Sequence, residues 1–372
     1  MQDLHHFFEE KHPIETRFTR AYDPQQLGRQ IHFATQDQLH WEEADIVLIG
    51  CDQQRRGSLS APDAVRAQLY QLYDWQPGIR ITDAGNIRQG ASEADTRAAL
   101  RCVLHEIVGS GKRVILLGGS HDLTLQQYEA FKKNKTVINA VVADMLIDLE
   151  ESEAVTEHSF LMDMLTSEPN FIRHYTHLGF QSYHVHPHML ETLDKLRFDF
   201  MRLGRLRQEM EEAEPALRAS QLFSFDMNAV RYSDAPANIQ GSPNGLAGDD
   251  ACLLMRYAGM SEEMRSTGIF GFDPGRDQHG MTAQLIAQMI WYYVEGMALG
   301  QREAPLTDRQ HFSEFHVRFT SNDTTFLRSK RTGRWWMQLP DNRYIPCSYA
   351  DYQHACKDEI PERWLREQER VS

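Results

Sequence analysis

Between residues 44 and 300 the chain alternates short apolar runs with stretches whose apolar positions recur every three to four residues. That is the pattern of buried parallel strands joined by helices that cover the faces of the sheet. Ile46-Val47-Leu48-Ile49-Gly50 reads as a first buried strand, with further strands over Arg113 to Leu117, Thr136 to Ala143, His174 to Phe180 and Gln221 to Phe225. Ser92 to Asp95 has the spacing of a capping box, and Leu100, Val103, Leu104 and Ile107 then form a helical stripe that stops at Gly109. Glu209 to Leu217 reads as a charged, solvated helix. Met281, Leu285, Ile286, Met289, Ile290, Tyr293, Val294 and Met297 keep the 3.6-residue period of a helix that covers a core. The expected fold class is α/β, a three-layer α/β/α arrangement around a mainly parallel central sheet.

After Gly300 the period changes, and Pro305 marks a linker. Phe315, Val317 and Phe319 alternate as in a strand, and Thr325 to Ser329 and Arg334 to Leu339 flank Lys330-Arg331-Thr332-Gly333 as in a hairpin. The chain therefore divides into an N-terminal segment (1–43), an α/β domain (44–304) and a C-terminal hairpin and helix extension (305–372). Trp335, Trp336 and Trp364 of the extension are expected to pack against the main domain or a neighbouring subunit rather than to form a ligand platform.

The 372 residues, 41% of them hydrophobic, suffice for one large core and an appendage. A net charge of -14 argues against nucleic acid or an anionic membrane as partner. No apolar run is long enough to span a bilayer, and Met1-Gln2-Asp3-Leu4-His5-His6 lacks the blocks of a secretory signal. Cys51, Cys102, Cys252, Cys347 and Cys356 are scattered and form no CxxC, so reduced thiols in a cytoplasmic protein are expected.

Chemistry concentrates in three short motifs at the ends of predicted strands: Gly118-Gly119-Ser120-His121-Asp122, Asp144-Met145-Leu146-Ile147-Asp148 and Ser224-Phe225-Asp226-Met227-Asn228. Open parallel sheets place ligands at these carboxyl ends. Histidine and carboxylates together suit a divalent cation that favours oxygen donors and accepts imidazole. Carboxylates converging there without a cation would repel one another, and burying them ionised is costly. A metal, a lysine or arginine in its place, or protonation of a carboxylate would each relieve that cost. Separately, each aspartate could serve as a cap for a strand or helix end.

In order and spacing these motifs resemble the metal framework of the ureohydrolase superfamily, which contains arginase, agmatinase and formimidoylglutamase. Three further segments carry the resemblance over roughly residues 44–300: Gly57-Ser58-Leu59-Ser60-Ala61-Pro62 leading to Val65-Arg66, the Asp83-Ala84-Gly85-Asn86 turn, and Asp273-Pro274 followed by Thr282-Ala283. The resemblance implies an arginase-like fold, two Mn2+ ions that activate a water, hydrolysis of a C–N bond in a small linear amidine or guanidino substrate, and a homo-oligomer. It assigns the first metal to His121, Asp144, Asp148 and Asp226, with Asp144 and Asp226 also bridging to the second.

The second metal position departs from the family pattern. Leu146 stands where D-x-H-x-D has its histidine, and Asn228, a neutral and weaker oxygen donor, where D-x-D has its second aspartate. Gly271-Phe272-Asp273-Pro274 aligns with the family's E-x-x-P, so the glutamate that contacts the substrate's amidine is missing too. The expectation is one Mn2+ rather than two, or none, and weak turnover. Arg334-Trp335-Trp336-Met337 is similar to an extension of a formimidoylglutamase-like branch, which makes that specificity the first choice. The alternatives are a non-catalytic protein that uses the fold to bind a small molecule or a protein, and a single-metal hydrolase of another C–N or C–O substrate.

Other histidines suggest less. His158, ten residues past Asp148, lies near where arginase carries a proton-shuttling histidine and is the acid/base candidate, with a surface role as the plainer alternative. His184, His186 and His188 alternate, but Pro187 breaks the strand and the expectation is exposed loop histidines rather than a zinc site.

Overall fold

The computed structural model describes residues 4–9, 22–34, 39, 41–52, 60–320 and 322–369. Nine strands form the central sheet: β1 (His32–Phe33), β2 (Ile46–Cys51), β3 (Ile81–Asn86), β4 (Arg113–Gly118), β5 (Ile138–Ala143), β6 (Ile172–Phe180), β7 (Asp199–Arg202), β8 (Leu222–Asp226) and β9 (Ser266–Phe270). Their order is β1-β3-β2-β4-β9-β8-β5-β6-β7, and every pairing is parallel. The fold is thus the expected three-layer α/β arrangement, with one apolar cluster on each face of the sheet. The segment before residue 44 contributes β1 to its edge.

Local signals act as the sequence suggests. Ser92 and Asp95 make a reciprocal capping box, each side chain accepting the other's backbone N–H, ahead of the helix Glu93–Gly109. The helix Met281–Gly300 covers one core and meets the helix Gly248–Met260 so closely that a Cβ on Gly296 would lie 2.1 Å from the carbonyl oxygen of Arg256. Such an approach requires glycine.

Three expectations need correction. Asp83-Ala84-Gly85-Asn86 is not a free turn: it is the bulged end of β3, with Gly85 at φ +86°. Asp83 there accepts two hydrogen bonds, of 2.8 and 3.0 Å, from the fully buried guanidinium of Arg66. Gly57-Ser58-Leu59 lie outside the described residues, as do Met1-Gln2-Asp3. Glu209 to Leu217 is not a solvated helix but a short 3-10 turn and the helix Ala213–Arg218, with Glu214, Leu217 and Arg218 buried. The extension lies on it and removes that face from water. Pro187 does not leave a loop: it starts the helix Pro187–Lys195, which suits its fixed φ, while His184, His186 and His188 remain exposed.

The extension forms an antiparallel sheet of β10 (Phe312–Phe319), β11 (Asn322–Ser329), β12 (Trp335–Gln338) and β13 (Tyr344–Cys347), followed by helices Tyr349–Cys356 and Glu362–Glu369. Trp335, Trp336 and Trp364 are all buried. The Trp336 ring lies 4.3 Å from the guanidinium carbon of Arg218 in the main domain, a contact that joins the two parts.

Candidate metal centre

Three strands from the middle of the sheet deliver the site, β8 and β5 side by side and β4 separated from β8 by β9. β4 ends at Gly118 just before His121, β5 ends just before Asp144, and β8 ends on Asp226. Parallel pairing puts these ends on one side of the sheet. Asp226 caps the 3-10 turn that follows, its Oδ1 accepting the Asn228 N–H at 2.7 Å, so its other oxygen is left to face the cluster.

His121 Nδ1 lies 3.4 Å from Asp144 Oδ2, 3.2 Å from Asp148 Oδ2 and 3.4 Å from Asp226 Oδ2, and all four side chains are buried. The ring is held from behind: Nε2 is 2.9 Å from Ser224 Oγ, which is 2.6 Å from Thr124 Oγ1. Phe160 and Phe270 pack around it with ring centroids at 4.8 and 5.8 Å. His121 Nδ1 and Asp148 Oδ2 are buried with no hydrogen-bond partner. Three carboxylate oxygens converge on His121 Nδ1, a donor set that suits a divalent cation; among the described residues His121, Asp144 and Asp226 offer ligand atoms within 4.8 Å of one another, a group that does not include Asp148.

The electrostatics carry the same message. Burial alone would lower the His121 pKa, but contacts with Asp144 and Asp148 and the Asp226 charge outweigh it and raise the pKa well above its ordinary value. Burial, together with the Asp226 and Asp148 charges, pushes Asp144 up to about 8. Burial also raises Asp226, whereas at Asp148 the contacts with His121 and His158 overcome burial and lower the pKa. Among the described residues the ion pairs of these carboxylates run to histidines, with no lysine or arginine in the place of a cation.

His158 is brought to this cluster, its Nδ1 3.8 Å from Asp148 Oδ1 and its side chain about a third exposed. The contact with Asp148 raises its pKa to about 9. Gln240 Nε2 lies 3.0 Å from His158 Nε2, and the Gln240 backbone N–H donates to Asn228 Oδ1 at 2.8 Å. Asn228 is thus buried beside Asp226 with its carbonyl oxygen already engaged. Leu146 sits half-buried between Asp144 and Asp148.

Gly271 is constrained by the same carboxylate. Its φ is +76°, and a Cβ there would lie 2.2 Å from Asp226 Oδ1. A side chain at this position would collide with the Asp226 carboxylate. Nearby, a cavity of about 30 Å3, the space of roughly one water, is lined in part by Asp52, Ser120, Glu157 and Asp273.

The supporting residues were only partly visible in the sequence. Ser224 opens the Ser224-Phe225-Asp226-Met227-Asn228 motif but carries no ligand signature, and Gln240 and Thr124 reach the site through folding alone.

Residues 43–295 match the family model described as the Arginase family. The formimidoylglutamase of Staphylococcus aureus (strain JH9) is 20% identical over 254 residues, covering 65% of this chain and 80% of that protein. The structure of formimidoylglutamase from Bacillus subtilis superposes with a TM-score of 0.66 at 18% identity, over 76% of this chain and 95% of that one. The structure of Trypanosoma cruzi formiminoglutamase with Mn2+2 superposes with a TM-score of 0.64 at 18% identity, over 70% of this chain and 95% of that one.

Proposed function

The chain belongs to the arginase family, and on that premise we propose that it hydrolyses a C–N bond of a small linear amidine or guanidino compound, weakly, with one divalent cation, manganese, at His121, Asp144, Asp148 and Asp226. The observation that carries this reading is the convergence of His121 Nδ1 and three carboxylate oxygens within 3.4 Å. The likeness to formimidoylglutamases supports an amidine over other substrates, and the Mn2+ ions named in the T. cruzi structure support manganese.

A divalent cation bound there would supply Lewis acidity toward a water oxygen and an amidine nitrogen, which makes the amidine carbon more electrophilic. The rest falls to side chains. The His121 ring is locked by Ser224 and Thr124, which keeps Nδ1 aimed at the carboxylates. His158, at the boundary between cluster and solvent, is placed to exchange a proton with a leaving amine, and Gln240 fixes its ring from the outer side. Weak turnover follows from Leu146, which offers no ligand atom, and from Asn228, whose oxygen is bonded to Gln240. Free thiols at all five cysteines support a cytoplasmic setting.

Elemental analysis after manganese loading and dialysis, paired with an assay for release of ammonia or formamide from formimidoylglutamate, tests the proposal. One ion per chain with slow release is expected. Two ions per chain would overturn the account of the second position. No ion and no release would favour the second reading, a non-catalytic binding protein, which the backbone of Gly271 supports because it excludes the amidine-contacting carboxylate.

A further inference from the structure

At the opposite end of the sheet from the carboxylates, a cavity of about 830 Å3 lies between the main domain and the extension. This is the size of a pocket for a small organic molecule. The amino ends of β5, β6 and β8 reach it through Asn139, His174 and Gln221, and the extension closes it with β13 and its two helices. Leu178, Met201, Ile345 and Pro346 give it an apolar stretch.

Its charges do not balance. Arg363 is shared by two carboxylates: it bonds Asp351, and its Nη2 stands 3.7 Å from Glu212 Oε2. Arg366 is likewise shared by Asp199 and Glu362, with His174 Nε2 2.7 Å from Asp199 as a further donor. Arg173 pairs with Glu367, and Arg205 with Glu209. Glu211 and Glu263 stand exposed on the rim, where among the described residues neither has an ion pair. In all, eight carboxylates line the cavity against five arginines. Burial raises the pKa of Glu212, and the Asp351 and Glu209 charges add to it, while a hydrogen bond from Ser348 and the Arg363 charge oppose the shift.

We propose that this cavity binds an aliphatic dication, a diamine in its simplest form, with one ammonium against Glu212 and the other against the rim carboxylates. Its methylene chain would cover the apolar stretch between them. Because the walls come from both parts of the chain, occupancy would tie the extension to the main domain and raise the unfolding temperature by mass action.

The probe is 1,5-diaminopentane, titrated by calorimetry into the full-length protein, with glutarate as a control of equal length and opposite charge. The expected result is saturable binding of one diamine per chain and none of glutarate. Glu212→Gln and Glu263→Gln should each weaken binding at least about tenfold, while Asp226→Asn at the metal centre leaves it unchanged. Glu263 is exposed, so its variant decides the matter if Glu212→Gln loosens the extension. Absence of saturable diamine binding, binding of glutarate instead, or loss of binding in Asp226→Asn with both glutamine variants unaffected would overturn the proposal.

Discussion

The tightest constraint on the candidate centre is Gly271, and replacing it with alanine separates two costs that usually arrive together. The first is backbone strain, since an L-residue held in the left-handed region loses about 1–2 kcal/mol. The second is steric, because the new Cβ would stand 2.2 Å from Asp226 Oδ1 and 2.9 Å from its Cγ. Gly333 supplies the control: its φ is +75° against +76° for Gly271, and nothing lies within 4 Å of a Cβ built there. Gly333→Ala should therefore show strain alone. Gly271→Ala should lose about 1–3 kcal/mol more, the range for forcing an extra carbon into a packed site. Displacing Asp226 should also weaken Mn2+ binding at least about tenfold, with no change in Gly333→Ala. Thermal unfolding and calorimetric Mn2+ titration of the two variants measure both effects. If Gly271→Ala is no less stable than Gly333→Ala and binds Mn2+ like the unaltered protein, Asp226 is not the rigid ligand described.

Further outcomes follow from the same geometry. Leu146→His with Asn228→Asp should raise the manganese content from one ion per chain toward two and increase amidine hydrolysis, read by elemental analysis and ammonia release. Asp144, with a pKa of about 8 when folded and about 3.9 unfolded, is raised by folding, so its contribution to stability without metal is present at low pH and declines as pH rises from about 4 to 8. Mn2+ held by Asp144 would compete with that proton, so the rise in unfolding temperature it causes should be larger at pH 8 than at pH 6; a flat profile would contradict a raised Asp144 pKa. Arg66→Ala, which strands the buried Asp83, should cost about 3–5 kcal/mol in denaturant unfolding. Trp336→Ala removes the platform under Arg218 and should cost a similar amount, about 3–5 kcal/mol, in the same measurement.

The three motifs were legible because each follows an apolar run, and a parallel sheet leaves such runs pointing one way. What stayed hidden depends on tertiary contact. β9, Ser266–Phe270, carries Ser, Thr and Gly and does not read as a buried strand, yet Gln127 Nε2 donates to Ser266 Oγ at 2.8 Å and satisfies one of its polar groups. The end of β3 looked like a turn because its aspartate and asparagine suit turns, whereas they bond Arg66 across the fold. The helix at Ala213–Arg218 looked solvated because charge was its only visible property; burial came from the extension, far along the chain. Asn228 could be identified as a departure from the family pattern, but the engagement of its oxygen by Gln240 required coordinates.

β5 and β8 each touch both regions of interest: Asp144 and Asp226 stand at their carboxyl ends, while Asn139 and Gln221 at their amino ends face the extension. At about 3.3 Å per residue, such strands hold the two regions some 15–20 Å apart. That separation insulates them under mutation. Changes in the extension can accumulate, and alter what the back of the molecule recognises, without retuning the ligand geometry at the front. Lineages of such a protein are thus free to diverge at one end of the sheet while the other stays still.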